Sequence, residues 1–202
     1  MDSTSSSPPP PDPVYLPAGS FDRVKILIAG PFGIGKTTAI ETVSEIRSLH
    51  TEEVMTQPAA EVDDLHVAGK TTTTVATDFG RITLESGVVL YLFGTPGQDR
   101  FRPLWKDHAL GALGALVLVD TRRLDDSFEV IDLVEDYGLD YAVAVNLFPE
   151  SPEYALDIVR GKLDIEDHIP LVTVNALDRR STLDALKTLT AYLVTCAGDI
   201  PS

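Results

Sequence analysis

Cysteine is almost missing from this chain: one residue, Cys196, in 202. A disulfide framework and a cysteine-based metal cluster are thereby excluded, and a reducing compartment fits. Basic residues are also scarce, 16 Lys and Arg against 31 Asp and Glu, for a formal charge of −15. That balance argues against nucleic acid or an anionic membrane surface as the main partner. The four histidines, His50, His66, His108 and His168, lack metal-ligand spacing and are assigned to surface or loop positions. No apolar run reaches the length of a membrane span, and the N-terminus lacks a charged-then-apolar signal pattern. The last residues do not form a prenylation box, and Asp2 rules out N-myristoylation. The expectation is a cytoplasmic protein with no direct membrane anchor, recruited to a membrane only through partners.

What is present is ordinary globular material, 44% apolar, enough to bury one full core. Residues 1–20 are Ser- and Pro-rich with almost nothing to bury, so they read as a disordered tail. The four consecutive prolines in it suit an SH3-type ligand less well than a plain extended arm. Residues 21–202 form the single domain.

The domain is organised around VKILIAGPFGIGKTT, residues 24–38. A short apolar run, Val24 to Ala29, leads into Gly30, Gly33 and Gly35, and Lys36-Thr37-Thr38 then opens a helical pattern. Strand, glycine loop and helix are the context in which Gly-x4-Gly-Lys-Ser/Thr acquires meaning, and Gly30, Gly35, Lys36 and Thr37 fill its fixed positions. Main-chain N–H groups from Phe32, Gly33, Ile34, Gly35 and Thr38 would turn toward a phosphate, and the helix dipole would favour the same anion. Lys36 adds a cation over the outer phosphates, while the Thr37 hydroxyl suits Mg²⁺, a hard oxygen-seeking ion.

Further along, Ile40, Val43, Ile46 and Leu49 continue a helix face. Residues 50–76 break the rhythm and read as a long functional linker, a switch segment. Thr77 to Leu84 and Val88 to Phe93 make a hairpin around Glu85-Ser86-Gly87. Ala115 to Asp120, Tyr141 to Val145 and Pro170 to Val174 are buried strands. Helices are expected with Phe128, Ile131, Val134 and Tyr137 on one face, over Glu153 to Arg160, and along Leu183, Leu186, Leu189 and Leu193. The alternation implies an α/β fold with a mostly parallel six-stranded sheet covered on both faces. Loops at the carboxyl ends of such strands converge, which gathers Gly30–Thr38, Gly94–Gln98, Asn146 and Asn175–Ala176 at one edge.

From about residue 23 to 195 the chain resembles the Ras-like P-loop small GTPases. AGPFGIGKTT, TTTVATDFG and LFGTPGQDRF are most similar to the GTPases of actinobacterial conservon operons and, more distantly, to bacterial polarity GTPases. The resemblance implies a GTP/GDP switch that hydrolyses GTP. Gln98 would orient the attacking water, and Gly97 would sense the γ-phosphate through its N–H. Mg²⁺ would be held by Thr37 and, in the triphosphate state, by Thr74, with Thr73 in reserve. It also implies two partners, a roadblock-fold protein and a sensor-kinase-like protein.

Departures from the family pattern bear on the chemistry. Gly94 stands where an aspartate usually helps to hold Mg²⁺, leaving Asp78 or Asp120 as substitutes from a neighbouring strand end. The guanine-reading Asn-Lys-x-Asp becomes Asn146-Leu147-Phe148-Pro149, with Glu150 one residue later, so an ATP-using enzyme is a further alternative. Asn175-Ala176-Leu177 replaces Ser-Ala-Lys, keeping the Ala176 N–H for a base carbonyl. Phe32 replaces glycine beside the γ-phosphate, and Pro96 stiffens the loop carrying Gln98; both predict slow hydrolysis, or a scaffold that binds nucleotide without turnover. Trp105 either packs the short helix after that loop or exposes a partner-binding patch. Arg100 and Arg102 read as surface residues, and Cys196 as an inert buried thiol.

Overall fold

The computed structural model describes residues 23–47, 49–55, 73–84, 87–97 and 104–198. The Ser/Pro-rich tail, most of the 50–76 segment and Gln98 to Pro103 lie outside them. Strand β1 (Arg23–Ala29) runs into the glycine loop and helix α1 (Lys36–Val43). Then come β2 (Leu49–Met55), β3 (Thr73–Thr83), β4 (Val89–Gly94), α2 (Trp105–Ala109) and β5 (Ala112–Val119). A 3₁₀ turn at Leu124–Ser127 leads into α3 (Phe128–Asp136). β6 (Asp140–Asn146), α4 (Leu156–Leu163), β7 (Leu171–Val174) and α5 (Arg179–Gly198) complete the order.

The strands form one sheet in the order β2-β3-β4-β1-β5-β6-β7. β4, β1, β5, β6 and β7 are parallel, and β3 lies antiparallel to both β2 and β4. All six expected strands are present. The seventh, β2, adds an edge within the stretch expected to be linker, where Leu49 pairs with Phe79 and Met55 with Thr73. An edge strand need bury only one neighbour, so LHTEEVM carries no apolar run to announce it.

β1 sits at the centre because its side chains can be buried on both faces. Ile26 and Ile28 point into one core with Ile40, Val43, Leu186 and Leu189, beneath α1 and α5. Leu27 and Ala29 point into the other with Ile131, Val134, Val159 and Leu163, beneath α3 and α4. Each large aliphatic chain so buried contributes about 1.5–3 kcal/mol. Trp105 is 2% exposed and belongs to this second core, so the packing reading holds for it. His108 on the same short helix is buried too, which corrects its assignment to the surface: α2 folds both residues inward.

α1 is shorter than its sequence pattern implies, because Ile46 and Leu49 fall beyond it. Ser44 ends the helix with extended backbone (ψ 138°). Its hydroxyl accepts from the N–H groups of Ile46 (3.3 Å) and Arg81 (3.2 Å), a local alternative to continuing the helix. The Glu45 N–H then donates to the Arg81 carbonyl at 2.8 Å, and its carboxylate accepts from the Thr83 N–H at 2.9 Å. Arg179, at the start of α5, donates to the carbonyls of Thr42 (3.0 Å) and Val43 (2.7 Å) and closes the C-terminal end of α1.

Gly80 of β3 lets α1 lie this close. A Cβ there would stand 2.6 Å from Ile40 Cγ2 and 3.3 Å from Ser44 Cβ. Gly80→Ala is therefore expected to destabilise the fold by about 1–3 kcal/mol through overpacking, read as a lower midpoint in denaturant unfolding. An unchanged midpoint would refute the tight seat of α1.

Candidate functional site

At the carboxyl end of β1 the chain turns through glycines in backbone conformations that side chains disfavour. Gly30 has φ 142° and Gly35 φ 100°. A Cβ at Gly30 would lie 2.6 Å from the Leu118 carbonyl oxygen, and one at Gly35 would lie 2.9 Å from Asn146 Nδ2. Ile34 between them is fully buried and anchors the loop to the core. The loop ends at α1, whose first residue is Lys36.

Asn146, at the end of β6, holds this loop from below. Its Nδ2 donates to the Ile34 carbonyl (2.8 Å) and its Oδ1 accepts from the Ala176 N–H (3.1 Å). Three loops that are far apart in sequence thus share one buried amide. The Ala176 N–H, expected to reach a base carbonyl, is directed at Asn146 instead. Beside this junction lies a cleft of about 160 Å³ lined by Thr38, Asn146, Leu147, Pro149, Ala176 and Leu177, among others.

The Lys36 ammonium folds back to donate to the carbonyls of Gly30 (2.7 Å) and Pro31 (2.8 Å). Burial pushes its pKa down to about 8; the Asp78 carboxylate opposes that shift and the Arg123 cation adds to it. Gly97 approaches from the loop after β4, where a Cβ would stand 2.6 Å from Lys36 Nζ and 2.7 Å from the Phe32 nitrogen. Phe32 itself is 66% exposed. Its carbonyl accepts from Arg123 Nη2 at 2.7 Å. Sequence reasoning missed Arg123, although it follows β5 and the convergence of loops at strand ends could have flagged it.

Of the two carboxylates offered as substitutes at the Thr37 site, the structure brings up Asp78. Thr37 Oγ1 donates to Asp78 Oδ2, and a Cβ on Gly94 would stand 3.2 Å from Asp78 Cβ and 3.3 Å from its Oδ2. A carboxylate from β3 thus fills the space that a side chain at position 94 would occupy. Asp120 is committed elsewhere. It is buried and bound by Arg122 through the backbone N–H (2.9 Å), Nε and Nη2 (2.6 Å). Burial pushes the Asp120 carboxyl up, but the Arg122 hydrogen bonds and the Arg122 and Arg123 charges outweigh it and hold it below the usual range.

Thr37 and Asp78 are the oxygen donors that fit a divalent ion such as Mg²⁺. Thr74 lies in β3, opposite Val54. Gln98, like Arg100 and Arg102, falls outside the described residues. No group of three or more His, Cys, Asp and Glu poised for a metal occurs among the described residues. No helix among them is long and apolar enough to cross a membrane. Cys196 is only partly buried.

Residues 28–149, more than half of the chain, match the model of a family described as conserved hypothetical ATP-binding proteins. The chain belongs to this family. No curated protein matches the sequence. Among solved structures it is similar to the cytosolic domain of the FeoB iron transporter of T. maritima in a GDP form, with TM-score 0.60 and 16% identity over 87% of this chain and 65% of that one. The GMPPNP form of that domain gives TM-score 0.58 at 16% identity, covering 84% and 64%. The FeoB G-domain of Methanococcus jannaschii gives 0.56 at 13%, covering 86% and 99%. The chain thus spans under two thirds of the first two and nearly all of the isolated G-domain. The family member has the P-loop G-domain fold.

Two outcomes test this geometry. Lys36 should titrate near pH 8 when its side-chain carbons are followed by NMR, against an ordinary value of 10.5. Because the folded pKa is the lower one, the unfolded chain binds more protons between pH 8 and 10.5, so Lys36 makes stability rise with pH across that window. Titration at the ordinary value would contradict the burial. Gly94→Asp alone should destabilise by about 3 kcal/mol, two carboxylates being forced together, and Asp78→Gly in the same chain should restore most of the unfolding midpoint. Failure of that rescue would contradict the shared space.

Proposed function

We propose that the protein binds a nucleoside triphosphate in the glycine loop and acts as a GTP/GDP-dependent switch with slow intrinsic hydrolysis. The observation that carries this reading is the loop itself: positive-φ glycines at the end of the central strand, braced by Asn146 and closed by Lys36 at the start of α1. Such a turn presents N–H groups to a polyphosphate at a helix N-terminus. Structural neighbours described in GDP and GMPPNP forms make guanine nucleotides the first ligands to test.

In this reading Lys36 leaves the carbonyls of Gly30 and Pro31 for the outer phosphates, and a phosphate restores its full charge. The Gly97 N–H meets the γ-phosphate, displacing the loop after β4 and so coupling occupancy to shape. Thr37, with Asp78 in place of the missing residue-94 carboxylate and with Thr74 in the triphosphate state, would hold Mg²⁺, which supplies charge neutralisation when bound. Gln98 places the attacking water. Catalysis is then positioning and charge stabilisation. Phe32, exposed beside the phosphates, and Pro96, next to Gly97, support slow turnover.

The resemblance to conservon-operon GTPases supports a signalling role in the cytoplasm, with a roadblock-fold protein and a sensor-kinase-like protein as partners and membrane recruitment through them. A second reading, a scaffold that holds nucleotide without turnover, is favoured by the contact of Gly97 with the loop and by Phe32. Single-turnover hydrolysis of GTP separates the two. Gln98→Ala should lower the rate by about a hundredfold; equal rates would leave the scaffold. Lys36→Ala should abolish binding in both, and retained affinity would sink the glycine-loop reading itself.

A further inference from the structure

Along the glycine loop, the carbonyls are held one after another from outside. Lys36 takes those of Gly30 and Pro31, Arg123 that of Phe32, Asn146 that of Ile34, and the Ala39 N–H that of Gly35. The peptides of the loop are trans, and a trans peptide sets its C=O and its N–H in opposite directions. A group that holds one carbonyl therefore aims the next residue's N–H the other way. Asn146 sets the Gly35 N–H in this manner, and Arg123 sets the Gly33 N–H.

Arg123 is fixed for this contact at both backbone and side chain. Its N–H donates to the Asp120 carbonyl (3.0 Å), closing a turn directly after β5, and its carbonyl accepts from the Asp126 N–H (3.2 Å). Of its guanidinium nitrogens, Nε faces Asp120 Oδ2 (3.7 Å), Nη1 faces Asp126 Oδ2 (3.6 Å) and Nη2 donates to the Phe32 carbonyl (2.7 Å). Three partners on three sides orient a planar fork in a way that they could not orient an ammonium. Asp120 is a firm anchor, being buried and itself forked by Arg122. A Cβ on Gly33 would lie 3.5 Å from Arg123 Nη2, so the guanidinium packs on the same peptide that it binds.

We propose that Arg123 is a positioning residue for the phosphate donors of the glycine loop: bound to the Phe32 carbonyl, it turns the Gly33 N–H into the cradle and polarises that peptide into a stronger donor. The inference rests on the polyphosphate-binding reading of the loop and names a determinant of that same site, on a segment that carries none of the glycine pattern. In that reading Lys36 gives up its two carbonyls when phosphates arrive. Arg123 has no such second task and keeps its hold, so its brace persists in the occupied state.

The test is calorimetric titration of the full chain with GDP in magnesium, for the wild type and for Arg123→Met, each at low and at high salt. Arg123→Met should weaken GDP by about tenfold. The factor should be the same at both salt concentrations, because a contact hydrogen bond is little screened whereas attraction at a distance is. In the nucleotide-free variant the Gly33 amide nitrogen should resonate upfield of its wild-type position, as its peptide loses polarisation. Wild-type affinity in a folded Arg123→Met, or a loss that vanishes at high salt, overturns the inference while leaving phosphate binding intact. So does an unmoved Gly33 resonance. If Arg123→Met fails to fold, Arg123→Lys decides: it keeps the charge, but one nitrogen cannot serve Asp120, Asp126 and Phe32 together, so a loss of about threefold or more is expected. Wild-type affinity in that variant refutes the role of the fork. Absence of GDP binding by the wild type sinks the glycine-loop reading, and this inference with it.

Discussion

One buried side-chain amide, that of Asn146, fixes the relation between the glycine loop and the rest of the sheet edge. Its two polar ends are both satisfied, by the Ile34 carbonyl and the Ala176 N–H, so its burial costs little in unmet hydrogen bonds. The loop it holds has no regular secondary structure of its own, and its glycines are conformationally permissive. Its shape must therefore come from outside: Ile34 in the core, Leu118 packed under Gly30, Asn146 against Gly35. A preformed cradle loses less entropy when an anion arrives, which is the physical sense in which such loops are pre-organised.

The same constraint explains the exchange between positions 78 and 94. The two residues lie on adjacent antiparallel strands, Phe79 pairing with Phe93, so their side chains compete for one volume. With glycine at 94, the Asp78 carboxylate reaches the Thr37 hydroxyl. The carboxylate that the sequence pattern places at position 94 is thus offered from the neighbouring strand, over the start of α1.

Legibility in the sequence followed locality. β1, β5 and β6 are continuous apolar runs buried on both faces, and their pattern could hardly mean anything else. The glycine loop was readable because its signal lies within fifteen residues. β2 was not, since its strand partner, β3, arrives across a stretch that pattern alone reads as linker. The end of α1 was missed because Ser44 is captured by Arg81, 37 residues away, which no local periodicity encodes. Asp78 could be offered only as one of two candidates, because Thr37 and Asp78 are 41 residues apart and meet through register. Asp120 lost to it for a reason equally invisible in one dimension: Arg122 forks onto its carboxylate.

A formal charge of −15 surrounds a site read as a polyphosphate site, and the two are reconciled by range. Exposed charges are screened over about 8 Å at physiological salt, whereas the N–H groups of the loop and the Lys36 ammonium act in direct contact. The remote field therefore slows approach more than it weakens the bound state, since encounter is sensed at long range and retention at short range. In that reading retention falls on few groups: main-chain donors, one buried cation whose pKa of about 8 still keeps it protonated at neutral pH, and the oxygen pair of Thr37 and Asp78 that suits a divalent ion.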